Sequence, residues 1–399
     1  MIPLSDIYDK DINFLLGSGA SYGLFPTLRL GVQNDAARSW SLEDLATQFE
    51  NSGDRRHIPL FMHYYTSCVW PAQVFNAESV KDDVGKHVLV NYQQFLETVL
   101  TTLQRRRALD RRCNLFTTNY DGCIPFVADD LLRRGSYDFV LNDGTRGFRT
   151  KLLEARNFNS FLCQTGIFDR HQSSVPQINL IHLHGSVYWR KTHGGIEVDY
   201  AEIGGAKSLL SQSALDALKP FSDALVDPAS KLQDVPCPKL TDEELNEFWA
   251  SYKAIPVVNP TKWKFHETVY EEHYYQMLRL LSYELEKPNA VLITFGFSFA
   301  DEHILNLVKR SLSNPHLLVF VCCYDRTSYR EMSEQFRQHN NVRCVALEDD
   351  APMNFTAFNE RVFSPQTTPT ITVSSPGNTQ ENTITEPEKA KADSQEQLA

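Results

Sequence analysis

The sequence predicts an α/β fold, a Rossmann-like parallel sheet flanked by helices, with a smaller inserted helical subdomain. Short apolar runs at residues 14–16, 115–117, 178–183 and 290–295 alternate with helix-like stretches, which is the rhythm of βαβ units. Each run delivers a polar loop: G-S-G-A-S at 17–21, T-T-N-Y-D at 117–121, H-L-H-G-S at 182–186 and G-F-S-F-A-D at 296–301. Loops at the ends of neighbouring parallel strands meet along one edge of the sheet, where open α/β sheets bind their ligands.

The strand at 14–16 ends at Gly17 and Gly19, separated only by Ser18, a turn whose backbone N–H groups can approach a pyrophosphate. A dinucleotide fingerprint needs a further glycine at Tyr22, where this chain offers Gly23 instead, so the loop taken alone is equally a tight turn. Residues 47–90 are rich in polar and aromatic types and are expected to form helices that cover the site or pack against a partner. A helix over 92–107 leads into the strand at 115–117, and the strand at 178–183 closes the first part of the domain, residues 1–189. The rhythm breaks over 190–255, with G-G-I-E, G-G-A-K, several prolines and a helix over 241–252 opened by a Thr241/Glu244 capping box. This is the inserted subdomain. The core resumes over 256–362 with a helix at 267–286, a strand at 290–295, a helix at 301–312 and a strand at 317–324. From 363 to 399 Thr, Ser, Pro, Gln, Glu and Ala dominate, and a segment with so little apolar surface is expected to remain disordered.

With 399 residues, 42% of them hydrophobic, the chain can bury a sizeable core. A formal charge of -11 argues against broad attraction to nucleic acid. The one basic run, Arg105, Arg106 and Arg107 with Arg111 and Arg112, reads either as a local patch or as the solvated end of a helix. No window approaches the roughly 20 apolar residues of a membrane span, so a cytoplasmic protein is expected. Eight cysteines are scattered without a C-x-x-C pair, which argues against a zinc ribbon or a redox dithiol, and no metal is expected.

Among the loop residues, Asn119 has an amide that both donates and accepts without changing charge. With Asp121 it could instead close an Asx-type turn. His184, followed by Gly185, carries an imidazole that titrates near neutrality and suits a general base. His182, two residues earlier on the same strand face, reads as a structural histidine. Asp301 reads as a helix N-cap.

Taken together, G-S-G-A-S, T-T-N-Y-D, H-L-H-G-S and G-F-S-F-A-D-E-H-I resemble the sirtuin-like superfamily, in particular the bacterial sirtuin-like NAD-hydrolysing proteins of anti-phage defence, over residues 10–345. The resemblance implies an NAD glycohydrolase that takes NAD as substrate and releases nicotinamide and ADP-ribose. It matches Asn119 to the asparagine of the family's T-Q-N-[ILV]-D motif, essential there for the ribose chemistry, and Asp121 to that motif's aspartate, which engages the nicotinamide. It matches His184 to the H-G histidine, a base acting through the ribose hydroxyls. It assigns Gly17, Ser18, Gly19, Ala20, Ser21 and Thr118 to the nucleotide, and Gly296 and Ser298 to the adenosine-side ribose and phosphate.

Two features depart from the family. No phenylalanine-arginine pair follows Pro26, and the inserted segment supplies only Cys237 of the four zinc cysteines found in protein-deacylating sirtuins. The stand-alone length, with a tail as its only extension, and the P-T-K-W stretch at 260–263 with the tyrosine-rich helix after it look similar to subunits paired with a HerA-type hexameric ATPase. That likeness implies a homo-oligomer controlled by this partner, with depletion of host NAD as the outcome and no nucleic acid directly implied. Two further readings stay open: a non-hydrolytic sensor of NAD or ADP-ribose that regulates a partner, and an NAD-dependent protein deacylase.

Overall fold

Seven parallel strands make the central sheet: β1 (Asp11–Leu16), β2 (Arg112–Thr117), β3 (Val140–Asn142), β4 (Gln177–His182), β5 (Ala290–Phe295), β6 (Leu318–Cys322) and β7 (Val342–Val345). Their order across the sheet is β7-β6-β5-β1-β2-β4-β3, and every neighbouring pair is parallel. This is the predicted α/β, Rossmann-like architecture. The computed structural model describes residues 2, 6–34, 38–107, 109–165, 172–201, 207–260 and 272–364.

The inner strands read as unbroken apolar runs because both faces of the sheet are covered. Along β1, Ile12, Phe14 and Leu16 join one hydrophobic cluster while Leu15 joins the other. β5 keeps its predicted limits, with all six residues buried. β3 and β7 lie outside the sequence reading: β3 is three half-buried residues marked only by the short run Phe139-Val140-Leu141, and β7 is V-R-C-V, with no buried position and no apolar run.

One face is packed by the helices Asp83–Gln104 and Cys123–Arg134 and by the chain end around Phe355, Phe358 and Val362. The first of these helices starts well before residue 92 because Asp82 caps it, its carboxylate accepting the Gly85 N–H at 2.6 Å. The opposite face is packed by the helices Glu272–Glu286, Glu302–Ser311 and Arg326–Gln335. A third cluster lies apart from the sheet and joins the helices Leu42–Ser52 and His57–Tyr64 to Gln212–Val226 and Asp242–Tyr252. From residue 210 onward the segment 190–255 therefore shares its apolar interior with residues 28–72, whereas Ile196 and Val198 pack in the cluster on the second face of the sheet. The Thr241/Glu244 capping box is present, with Thr241 N–H donating to Glu244 Oε2 at 2.8 Å and Glu244 N–H to Thr241 Oγ1 at 3.2 Å.

Phe363 belongs to the core rather than to the tail. It is buried against Phe14, with ring centroids 5.2 Å apart, and stacks on Phe358. The fold thus runs one residue past the boundary predicted at 362. Residues 365–399, on which the expectation of disorder falls, lie outside the described residues, as do 261–271 of the P-T-K-W stretch and the start of the tyrosine-rich helix. The arginine run is drawn into the fold: Arg106 donates to the Lys10 carbonyl, Arg111 to Ser173 Oγ at 3.0 Å, and Arg112 lies over the Phe161 ring. Among the described residues no helix is long and apolar enough to cross a membrane.

Candidate active site

The strand register brings the four predicted loops together. Phe295, Leu16, Thr117 and His182 face one another in a row across β5-β1-β2-β4, so the loops that follow leave from one level of the sheet. β1 lies between β2, the next strand of this sheet along the chain, and β5, which arrives much later, and this is the topological switch point.

The glycines of the first loop serve the contact between loops. Gly17 N–H donates to Phe295 O and Gly19 N–H to Gly296 O, both at 3.0 Å. Gly296 holds φ at 64°, and a Cβ there would fall 2.5 Å from the Ala20 nitrogen; a Cβ on Gly19 would fall 2.8 Å from the Gly296 Cα. The Ser18–Ala20 turn then closes on itself, with Ala20 N–H donating to Gly17 O at 3.0 Å and Ser21 N–H to Ser18 O at 3.2 Å. The backbone donors of Gly17, Gly19, Ala20 and Ser21, expected to cradle a phosphate, are all engaged within the protein. The Ser18 and Ser298 side chains stand exposed at this edge, and Thr118 N–H donates to Leu16 O at 3.1 Å.

Ser21, expected to contact the nucleotide, organises the neighbouring loop instead. It is 2% exposed and donates to Asp121 Oδ2 at 2.7 Å. Its two lone pairs accept the Tyr92 hydroxyl at 2.8 Å and the Asn119 Nδ2 at 3.1 Å, which exhausts its capacity. Burial holds the Tyr92 phenol well above its ordinary pKa, so it remains a proton donor. Asn119 Nδ2 also donates to Gly17 O at 3.1 Å, and Asp121 Oδ1 accepts the Cys123 N–H at 3.0 Å. Asn119 and Asp121 are therefore held side by side through one serine. The sequence reading missed Tyr92, which stands mid-helix and 71 residues from Ser21 with no local signal.

The histidines of H-L-H-G differ in their surroundings. His182 Nδ1 lies 2.9 Å from the Asn119 carbonyl, which can only accept, so Nδ1 carries the proton and Nε2 is buried without a hydrogen-bond partner. Burial, opposed by that hydrogen bond, lowers the His182 pKa and keeps the ring neutral. Its contact positions the Asn119 backbone. His184, 5% exposed, places Nε2 3.1 Å from Nε2 of His303. Gly185 holds φ at 82° and any Cβ there would collide with the Pro256 carbonyl, while Val258 N–H donates to His184 O at 2.9 Å. The glycine of the H-G pair is thus required where the chain returns from the inserted segment.

His303 reaches the site on the helix Glu302–Ser311. Asp301 occupies the N-cap position as expected, but its side chain makes no capping hydrogen bond. Its carboxylate instead lies with the His184 and His303 nitrogens in one group whose three ligand atoms are all within 4.8 Å of one another. The loop leading there is strained: Phe299 holds φ at 57° and is pinned by edge contacts to Phe297 and Phe336, with centroids 4.9 and 5.3 Å away. His184 and His303 are 119 residues apart, and no spacing in the sequence announces their pairing. No family model matches the chain, and no curated protein matches it.

Proposed function

We propose that this protein is an NAD glycohydrolase that cleaves NAD to nicotinamide and ADP-ribose. Its role on this reading is to deplete host NAD in anti-phage defence, in the cytoplasm, as a homo-oligomer controlled by a HerA-type hexameric ATPase. One observation carries the chemical part. Asn119 and His184 each lie two residues past Thr117 and His182, a facing pair on adjacent strands, so an amide and an imidazole arrive at the same level beside the switch point.

The glycosidic C–N bond breaks with its electron pair passing to the pyridinium nitrogen, so nicotinamide leaves neutral and the ribose takes on oxocarbenium character. Water adds at the anomeric carbon, and its proton passes to neutral His184. Asn119 holds water and ribose through its amide. Ser21, Tyr92 and His182 keep that amide in place, which lowers the reorganisation needed at the moment of reaction. Asp121 engages the nicotinamide.

The burial of His184 and its contact with His303 favour a second reading, in which the protein binds NAD or ADP-ribose without turnover and signals to a partner. Incubating the purified protein with NAD, alone and with an acetylated peptide, separates the possibilities. Nicotinamide with free ADP-ribose supports hydrolysis, binding without turnover supports the sensor, and acyl-ADP-ribose supports a deacylase. Mass measurement with and without a co-expressed ATPase, followed by the same assay, tests the partner; a fully active monomer indifferent to the ATPase overturns that part.

A further inference from the structure

β4 and β5 are three strand spacings apart, about 14 Å at the usual interval, with β1 and β2 between them. The contact between His184 and His303 therefore spans the edge of the sheet at the switch point. The third member, Asp301, comes from the N-cap of the helix that carries His303. The two imidazole nitrogens, 3.1 Å apart, and the carboxylate converge on one point, with all three ligand atoms within 4.8 Å of one another.

We infer that His184, His303 and Asp301 form a site for one divalent first-row transition ion of the zinc class, and that the bound ion silences the enzyme. Two imidazole nitrogens on a tetrahedral zinc ion stand roughly 3.3 Å apart, since each Zn–N distance is about 2.0–2.1 Å, and the observed separation of 3.1 Å is close to this. The outer limit of 4.8 Å asks the Asp301 carboxylate to move in by at most about 1.5 Å, a side-chain rotation. Two imidazoles and one carboxylate suit zinc, cobalt, nickel or copper better than magnesium or calcium, which prefer all-oxygen shells. The helix N-terminus disfavours a cation, and the Asp301 and Glu302 carboxylates offset it. The ion takes the Nε2 lone pair of His184, the same one that accepts the proton in hydrolysis. The silencing rests on the NAD glycohydrolase reading; the site does not.

The test uses the full chain stripped with chelator and titrated with zinc chloride by calorimetry, with cobalt absorption as a second signal for tetrahedral coordination. The expected result is one ion per chain, bound at least tenfold more weakly by His303→Ala and by Asp301→Asn, while a Cys163→Ser/Cys237→Ser control binds as the wild type does. If His303→Ala fails to fold by circular dichroism, His303→Gln takes its place. No stoichiometric binding, or equal affinity in wild type and the His303 variant, overturns the site and leaves a proton-sharing pair. In the activity arm zinc suppresses wild-type NAD cleavage, and the residual activity of the His303 variant no longer responds to it. Turnover unchanged with the ion bound overturns the silencing. Binding intact with no turnover in the metal-free protein overturns the NAD glycohydrolase reading alone.

Discussion

Asn114 and Asn119 belong to one strand and the loop it delivers, yet their amides do opposite work. Asn114 lies in register with Asn13 on β1 and Asn179 on β4, and Asn179 with Asn142 on β3. Asn114 Nδ2 donates to Asn13 Oδ1 and Asn179 Nδ2 to Asn114 Oδ1, both at 2.8 Å, and Asn142 Nδ2 donates to Asn179 Oδ1 at 3.0 Å. Asn13 Nδ2 ends the row on the Val291 carbonyl at 3.2 Å. The register of neighbouring strands sets this ladder, and at its β4–β3 end Asn179 and Asn142 also donate to the Phe158 and Asn157 carbonyls. Asn119, past the end of β2, is held by Gly17 and Ser21 of the first loop and by His182 at the end of β4. A buried polar side chain inside a sheet is thus explained by its neighbours, whereas one just beyond the strand end is aimed by tertiary contacts toward an edge that can receive a ligand.

The strongest test of this contrast is Asn119→Ala. Nicotinamide release should fall roughly 10²- to 10⁴-fold, the range for loss of a group that acts in the transition state, while stability drops by only about 1–2 kcal/mol for two hydrogen bonds. Near-normal turnover, measured beside thermal unfolding, removes Asn119 from the chemistry. Asn114→Leu should behave in reverse. It strands an acceptor on Asn13 and a donor on Asn179 in the sheet interior, about 2–5 kcal/mol by denaturant midpoint, with turnover per folded molecule unchanged. Equal losses of activity from both variants would erase the distinction.

Acid should act on the loop edge, and on the helix His57–Tyr64 that meets it through a hydrogen bond between the Tyr64 and Tyr120 hydroxyls, before the ladder, which carries no titrating group. His182 is held below its ordinary pKa by burial, and burial lowers His63, in the helix His57–Tyr64, to about 4. A histidine whose folded pKa lies below the unfolded value contributes its full stability above about pH 6.5 and loses it as pH falls toward the folded value. For His63 that window runs from about 6.5 to about 4 and amounts to at most about 3 kcal/mol. Hydrogen exchange at residues 119–121 should accelerate across this window earlier than at 113–115, and His63→Gln should shallow the acid limb. Simultaneous exchange at both sites would show that strand and loop open as one unit.

For Gly296→Ala a loss of at least about 1–3 kcal/mol is expected, from a left-handed backbone and a Cβ pressed on the Ala20 nitrogen. Stability and turnover should fall together, because the same shift disturbs Gly17 and, through it, Asn119. Unchanged stability would mean that the two loops separate freely and that the glycines await a ligand rather than each other.

Much of this was legible in the residues. The apolar runs of β1, β2, β4 and β5 declare a sheet buried on both sides, and the polar loops after them declare an edge, because both signals are local and repeat along the chain. The Thr241/Glu244 box and the N-cap position of Asp301 were readable for the same reason. What the Ser21 hydroxyl binds, that His182 holds the Asn119 carbonyl, and that His303 and Asp301 meet His184 were decided only by tertiary structure. Those facts depend on which strands lie side by side and on how far loops from distant segments reach across their ends. A residue's type states the bonds it can make, and only the assembled sheet edge selects the partners that make them.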